Sequence, residues 1–255
     1  MAVERLSPWF LRLGPDAPAR IRVFCFPYAG GGISSYRRWT ALSDARLEFC
    51  AIQLPGHEDR YAEPAFTRLS DLIPPLAAEI APHLGSPFAF FGHSMGALIA
   101  FELARELRRS GLPTPRHLFV SARRAPHLSR VRRTLHTLPD WELKAELRGL
   151  DGTPPAVLEN DELMELVLPI LRADFAICET YACAPADPLE VPIAMFGGAD
   201  DEETTRDEID AWRQHSRQPG QVRMFPGGHF FLHEHGAAIA DALIEDLTSG
   251  ARAPS

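Results

Sequence analysis

One segment near the middle of the chain, Phe88-Ala89-Phe90-Phe91-Gly92-His93-Ser94-Met95-Gly96-Ala97, constrains the fold more than any other. Four apolar residues, three of them aromatic, stop at Gly92, and an Ala-, Leu- and Glu-rich run of good helix formers begins after Gly96. The pattern is strand, tight turn, helix, with Gly92-x-Ser94-x-Gly96 in the turn. Such a turn strains the serine backbone and uses the flanking glycines to let strand and helix approach closely, which pushes Ser94 out as an exposed nucleophile. The helix N-terminus beside it carries free N–H groups and partial positive charge, so the Met95 N–H is a candidate donor to an oxyanion.

Around this segment, apolar runs of strand type alternate with helical ones. Ile21 to Phe26 reads as a strand ending at Pro27, followed by Tyr28-Ala29-Gly30-Gly31-Gly32 and a helix start near Ser34. Phe49 to Leu54 is a second strand, Leu69 to Leu84 a helix marked by Pro74 and Pro75, and His117 to Ser121 a further strand. The alternation lapses from about 125 to 188, where helical pieces at Trp141–Leu150 and Asp161–Leu171 read as an inserted helical lid. It resumes with a strand at Val191–Phe196, a capping box of Thr205 with Glu208, a strand at Val222–Phe225 and a closing helix at Ala237–Leu247. Residues 1–19 read as a proline-punctuated lead-in. The expectation is one α/β domain over 1–255, a mostly parallel sheet flanked by helices and interrupted by the lid at about 125–188.

The first base candidates follow strands too. Gly197-Gly198-Ala199-Asp200-Asp201 comes after one, Gly227-Gly228-His229 after the next. Serine needs a base within reach and a carboxylate to orient it, and the order Ser, Asp, His is that of α/β-hydrolases. All the parallel strands point their carboxyl ends to one edge, which gathers Ser94, the Asp200/Asp201 pair and His229 there. Ala29, in the glycine-rich loop at the same edge, is placed to offer a second oxyanion N–H.

Other chemistries are disfavoured. Lys144 is the only lysine and no lysine follows the glycines at 30–32, which argues against a P-loop. His229 and His233 are four apart, but Phe230 occupies the place of a zincin glutamate. Cys25, Cys50, Cys178 and Cys183 form no C-x-x-C pair and read as reduced, mostly buried thiols. A net charge of −8 argues against nucleic acid, and no membrane-length apolar run or signal-type N-terminus is present, so a cytoplasmic monomer needing no cofactor of its own is expected. His93 is read as shaping the turn and His57 as a surface-loop residue. From Leu107 to Pro139 there are eight arginines and no Asp or Glu, read either as a solvated face or as a docking patch for an acidic partner, with Arg123, Arg124 and Arg130 as its test positions.

The chain also resembles the stand-alone type II thioesterases that accompany polyketide synthases and nonribosomal peptide synthetases. The resemblance spans Phe24 to Leu232 and rests on Phe-Pro-Tyr-Ala-Gly-Gly (26–31), Leu-Pro-Gly-His-Glu-Asp-Arg (54–60), Phe-Gly-His-Ser-Met-Gly-Ala (91–97), Leu-Arg-Ala-Asp-Phe (171–175), Phe-Gly-Gly-Ala-Asp-Asp (196–201) and Phe-Pro-Gly-Gly-His-Phe-Phe-Leu (225–232). It implies hydrolysis of stalled or wrong acyl groups from the phosphopantetheine arm of acyl or peptidyl carrier proteins. It implies Ser94 as nucleophile, His229 as base, Ala29 and Met95 as oxyanion donors, and, by the register Gly-Gly-x-x-Asp, Asp201 as the orienting acid. Two other readings stay open: a carboxylesterase or acyl-coenzyme A thioesterase of the same fold, and a non-catalytic module that binds acyl carrier proteins.

Overall fold

The computed structural model describes residues 3–14, 21–44, 46–128, 134–150 and 152–249. The chain opens with β1 (Val3–Ser7) and β2 (Phe10–Leu13), an antiparallel pair whose second member also runs antiparallel to β4 (Leu47–Ile52). The lead-in expected over residues 1–19 is therefore partly sheet. The Pro8-Trp9 step masks it in the sequence, because two strands of four and five residues leave too short a pattern to score. Parallel to β4 runs β3 (Ile21–Phe26), and then follow β5 (Phe88–His93), β6 (Leu118–Ser121), β7 (Ile193–Gly198) and β8 (Val222–Phe225), all parallel. The strand order is β1-β2-β4-β3-β5-β6-β7-β8.

The parallel strands are apolar along most of their length, with Arg22, Glu48 and Arg223 the charged exceptions, because helices cover both faces. One face packs Phe24, Phe26, Phe90 and Val120 against α1 (Leu69–Ile80), α2 (Met95–Arg109) and Trp212. The other packs Val23, Phe91, Phe119 and Phe196 against Tyr36 and Trp39, from a 3₁₀ stretch at Ile33–Leu42, and against Ile239 and Leu243 of the closing helix at Gly236–Ser249. Between β6 and β7 lie α3 (Asp140–Leu147), α4 (Pro155–Leu158) and α5 (Asp161–Thr180), which share a small apolar cluster of Leu143, Leu147, Met164, Leu168 and Leu171. The helix at 161 runs nine residues beyond the expected Leu171, straight through Pro169. Beyond it, α6 (Arg206–Asp210) opens on the expected capping box, with Thr205 accepting from the Glu208 N–H and Glu208 reaching back to the Thr205 N–H. The closing helix is α7. Among the described residues no helix is long and apolar enough to cross a membrane.

His117, at the mouth of β6, gives the fold a pH signature. Its ring stacks on Phe119 at 4.3 Å and is 8% exposed, and Nε2 has no partner among the described residues. Burial pushes its pKa down to about 4, Asp246 opposing and Arg223 adding to the shift. An unfolded chain takes up this proton near pH 6.5 and the folded one only near 4, so stability falls as pH drops through that window, by about 2 kcal/mol from pH 7 to 5. His117→Leu is expected to remove that share, so that urea midpoints at pH 5 and pH 7 lie closer together than in the parent. An unchanged gap would mean that the ring already accepts its proton in the fold.

Candidate active site

β5 ends at His93, and Ser94 follows with φ +53° and ψ −112°, a conformation that a non-glycine residue adopts only under strain from both flanking elements. Its N–H donates to the Ser121 carbonyl at 2.8 Å, tying the turn to the end of β6. Glycine is required on both sides. A methyl at Gly92 would overlap the Gly96 carbonyl, and one at Gly96 would overlap the Phe26 carbonyl at the end of β3. Ser94 itself is half-buried, at the N-terminus of α2.

Asp201 and His229 are brought together at the ends of β7 and β8. His229 Nδ1 and Asp201 Oδ2 are 2.9 Å apart, with the carboxyl side chain 0% and the imidazole 13% exposed. Asp201 Oδ1 also accepts the Glu203 N–H at 2.7 Å. Asp200 points elsewhere: it is exposed and its Oδ2 accepts the Gly227 N–H at 3.2 Å. The His229 ring lies 5.5 Å, centre to centre, from that of His93, the residue preceding Ser94. His93 is fully buried and bonded through Nδ1 to the Ser121 hydroxyl at 2.9 Å. Burial, with His229 and His233 nearby, holds it well below the ordinary histidine range, so it stays a neutral wall of the site.

Ala29 sits in the loop after β3, which turns through Gly30 at φ +76°. The N–H groups from Gly30 to Ser35 all have acceptors within the protein. Those of Ala29 and Met95 have none among the described residues. Unsatisfied backbone donors of this kind, one of them directly after Ser94, are what a developing oxyanion requires.

His57 corrects the expectation of a surface loop. It is 3% exposed, with Nε2 at 2.8 Å from Asp174 Oδ2 and Nδ1 at 3.0 Å from the Pro55 carbonyl. Asp174, on α5, is 1% exposed, and the same Oδ2 accepts the Gly30 N–H at 2.6 Å. Sequence reasoning passed over this acid, although its signal was there. Met164, Leu168, Leu171 and Ile177 form the apolar stripe of α5, and Asp174 stands in that stripe.

His233 bonds through Nε2 to the Tyr28 hydroxyl at 3.1 Å, and among the described residues no cluster of three His, Cys, Asp or Glu is arranged to hold a metal. The four cysteines are free, Cys25 and Cys50 buried, Cys178 and Cys183 half-buried. The arginine run does not make one face. Arg108 and Arg109 end α2, and Arg116 precedes β6, at the amino edge of the sheet, whereas Arg123 and Arg124 follow β6 at the carboxyl edge; Arg130 lies outside the described residues. A groove of about 900 Å³ lies along the far half of α2, and two of the arginines lining it are engaged locally, Arg105 with Glu102 and Arg108 with the Asp187 and Pro188 carbonyls.

Residues 21–249 match the thioesterase domain family. The chain belongs to the thioesterase family. This thioesterase is 44% identical over 245 residues to the gramicidin S biosynthesis protein GrsT of Aneurinibacillus migulanus, covering 96% of each chain. Among solved structures it is similar to the type II thioesterase BorB from the borrelidin biosynthetic cluster, at 39% identity and a TM-score of 0.85 over 93% of this chain and 96% of that one. The thioesterase RedJ of the prodiginine pathway in Streptomyces coelicolor aligns at 38% identity and a TM-score of 0.84, over 91% and 87%. The sheet described above is accordingly the α/β-hydrolase fold, and the enzyme is a thioester hydrolase of the type II class.

Proposed function

We propose that this thioesterase edits a polyketide or nonribosomal peptide synthase, removing acyl groups from the phosphopantetheine arm of its carrier domains through a serine acyl-enzyme. The observation that carries the chemistry is the Asp201–His229 bond beside the strained Ser94 turn. With Nδ1–H donated to Asp201, Nε2 is left unprotonated to act as the base. His229 takes the Ser94 proton as Oγ attacks the thioester carbonyl. The N–H groups of Ala29 and Met95 receive the negative oxygen, and the imidazolium returns the proton to the departing pantetheine thiolate. Water, activated by the same imidazole, then attacks the acyl-enzyme and frees the acid and Ser94. The chemistry needs no resident cofactor. The helices of 135–180 act as a lid whose apolar side chains shape the acyl chamber, within the single domain, and the enzyme works as a cytoplasmic monomer.

The carrier-bound substrate is supported by the pathways named for the relatives, gramicidin S, borrelidin and prodiginine. The test is steady-state hydrolysis of acetyl, propionyl and longer acyl groups on an acyl carrier protein, beside the same acyl groups on coenzyme A and as free esters. Carrier-bound thioesters are expected to give a kcat/KM at least about tenfold higher, across several chain lengths. Preference for coenzyme A thioesters or free esters would overturn the substrate assignment.

A further inference from the structure

The buried His57–Asp174 pair has no part in the steps above, yet it touches the loop that carries one of the proposed oxyanion donors. The loop's own bonding shows why that contact matters. Gly31 N–H donates to the Tyr28 carbonyl at 2.9 Å and Ser35 N–H to the Gly32 carbonyl at 3.1 Å, local bonds any turn makes. The rest are supplied from outside: Gly30 by Asp174, Ile33 by Gln53 Oε1 at 3.2 Å and Ser34 by Glu58 Oε1 at 2.9 Å. Gln53 is itself held by donating to the His57 carbonyl at 2.5 Å. The Gly31-to-Tyr28 bond closes a turn around Ala29 and Gly30, but it is compatible with either flip of the central peptide, and Gly30, free to take either sign of φ, does not choose between them. The Asp174 carboxylate does so by capturing the Gly30 N–H, and this aims the neighbouring Ala29 N–H into the site.

A carboxylate one peptide away from a developing oxyanion would oppose it. His57 removes the conflict. Both its ring nitrogens face oxygens that only accept, Pro55 O and Asp174 Oδ2, an arrangement filled when both nitrogens carry protons. Burial pushes His57 down, but Asp174, the Pro55 carbonyl and Glu58 outweigh it and the pKa is raised. Asp174 Oδ1 is buried without a partner among the described residues, so its hold on the loop passes through Oδ2.

We propose that His57 and Asp174 form a positioning unit for the oxyanion loop, in which the carboxylate anchors Gly30 so that the Ala29 N–H points at the reacting carbonyl and the imidazolium cancels the carboxylate's charge. This rests on the serine acyl-enzyme reading with Ala29 as donor. The test measures kcat and KM of the full chain on an acetyl-loaded carrier protein for Asp174→Leu, Asp174→Asn, His57→Gln and the double variant His57→Gln/Asp174→Asn, with thermal midpoints alongside. Asp174→Leu, which loses the anchor, is expected to lower kcat about 10²-fold with KM nearly unchanged. Asp174→Asn keeps an acceptor for Gly30 and is expected to restore kcat to within about fivefold of the parent. His57→Gln leaves the carboxylate uncancelled and is expected to cost about tenfold, most of it regained in the neutral double variant.

The proposal is overturned if Asp174→Leu folds and keeps kcat within about threefold of the parent, or if Asp174→Asn is as damaged as Asp174→Leu. Should Asp174→Leu fail to fold, the comparison of His57→Gln with the double variant decides: equal rates in the two overturn it. Ser94→Ala, assayed in parallel, separates the levels. Turnover surviving in that variant sinks the acyl-enzyme reading, whereas its loss beside an undiminished Asp174→Leu sinks the positioning unit alone.

Discussion

Asp201→Asn is expected to lower kcat by about 10⁴-fold, whereas Asp200→Asn is expected to stay within about fivefold of the parent. The reason lies in the proton on His229 Nδ1. A carboxylate only accepts, so it fixes that proton on Nδ1 and leaves Nε2 as the lone pair that takes the Ser94 proton. An amide at 201 would turn its NH₂ toward Nδ1 and draw the ring into the opposite tautomer, with Nε2 already protonated. The side chain of Asp201 is 0% exposed and fully engaged, by His229 on one oxygen and the Glu203 N–H on the other. Nothing local compensates for the exchange. Asp200, exposed, does no more than accept the Gly227 N–H from the turn that carries His229. Rates on one carrier-bound thioester for the two variants check this directly, and a crippled Asp200→Asn beside an active Asp201→Asn would reverse the assignment.

Ser94→Ala is expected to abolish acyl-enzyme formation, seen by mass spectrometry as no adduct with a fluorophosphonate, and to reduce turnover by at least about 10⁴-fold. Residual hydrolysis would come from the oxyanion donors and substrate binding alone. Ser94→Gly adds a second readout. The residue sits at φ +53°, where a Cβ is strained and glycine is not, so this variant is expected to be equally inactive yet about 1 kcal/mol more stable in denaturant. A glycine variant of unchanged or lower stability would show that the turn stores no strain at this residue.

The gathering of Ser94, Asp201 and His229 at one edge was readable because the features that build it are local. The turn at Gly92–Gly96, the aspartate pair after Gly198 and the glycine-flanked His229 each follow an apolar strand, and parallel strands put such ends on one side. The capping box at Thr205 was equally legible, since its two bonds lie within four residues. What escaped was long-range or short in pattern. The β1–β2 pair has too few residues to show a period. His57 and Asp174 lie 117 positions apart, and neither neighbourhood reveals that the other closes over it. Polar residues in a Pro-Gly-His-Glu-Asp-Arg run look solvated until a helix from elsewhere supplies the carboxylate. The arginine run failed for the opposite reason. Proximity in sequence suggested one face, but β6 passes through its middle and sends the two halves to opposite edges of the sheet.

The loop after β3 has one further consequence. Its amides are held by Gln53, Glu58 and Asp174, side chains from separate parts of the chain, so its shape is set before any substrate arrives. In the proposed mechanism such a recess, formed in advance, reads the carbonyl oxygen, the one group that every acyl thioester shares. It therefore has no means of telling acetyl from a longer chain. An enzyme charged with clearing whatever has stalled is served by that indifference: the step that breaks the bond stays constant, and in the proposed mechanism any choice among acyl groups falls to the chamber beneath the helices.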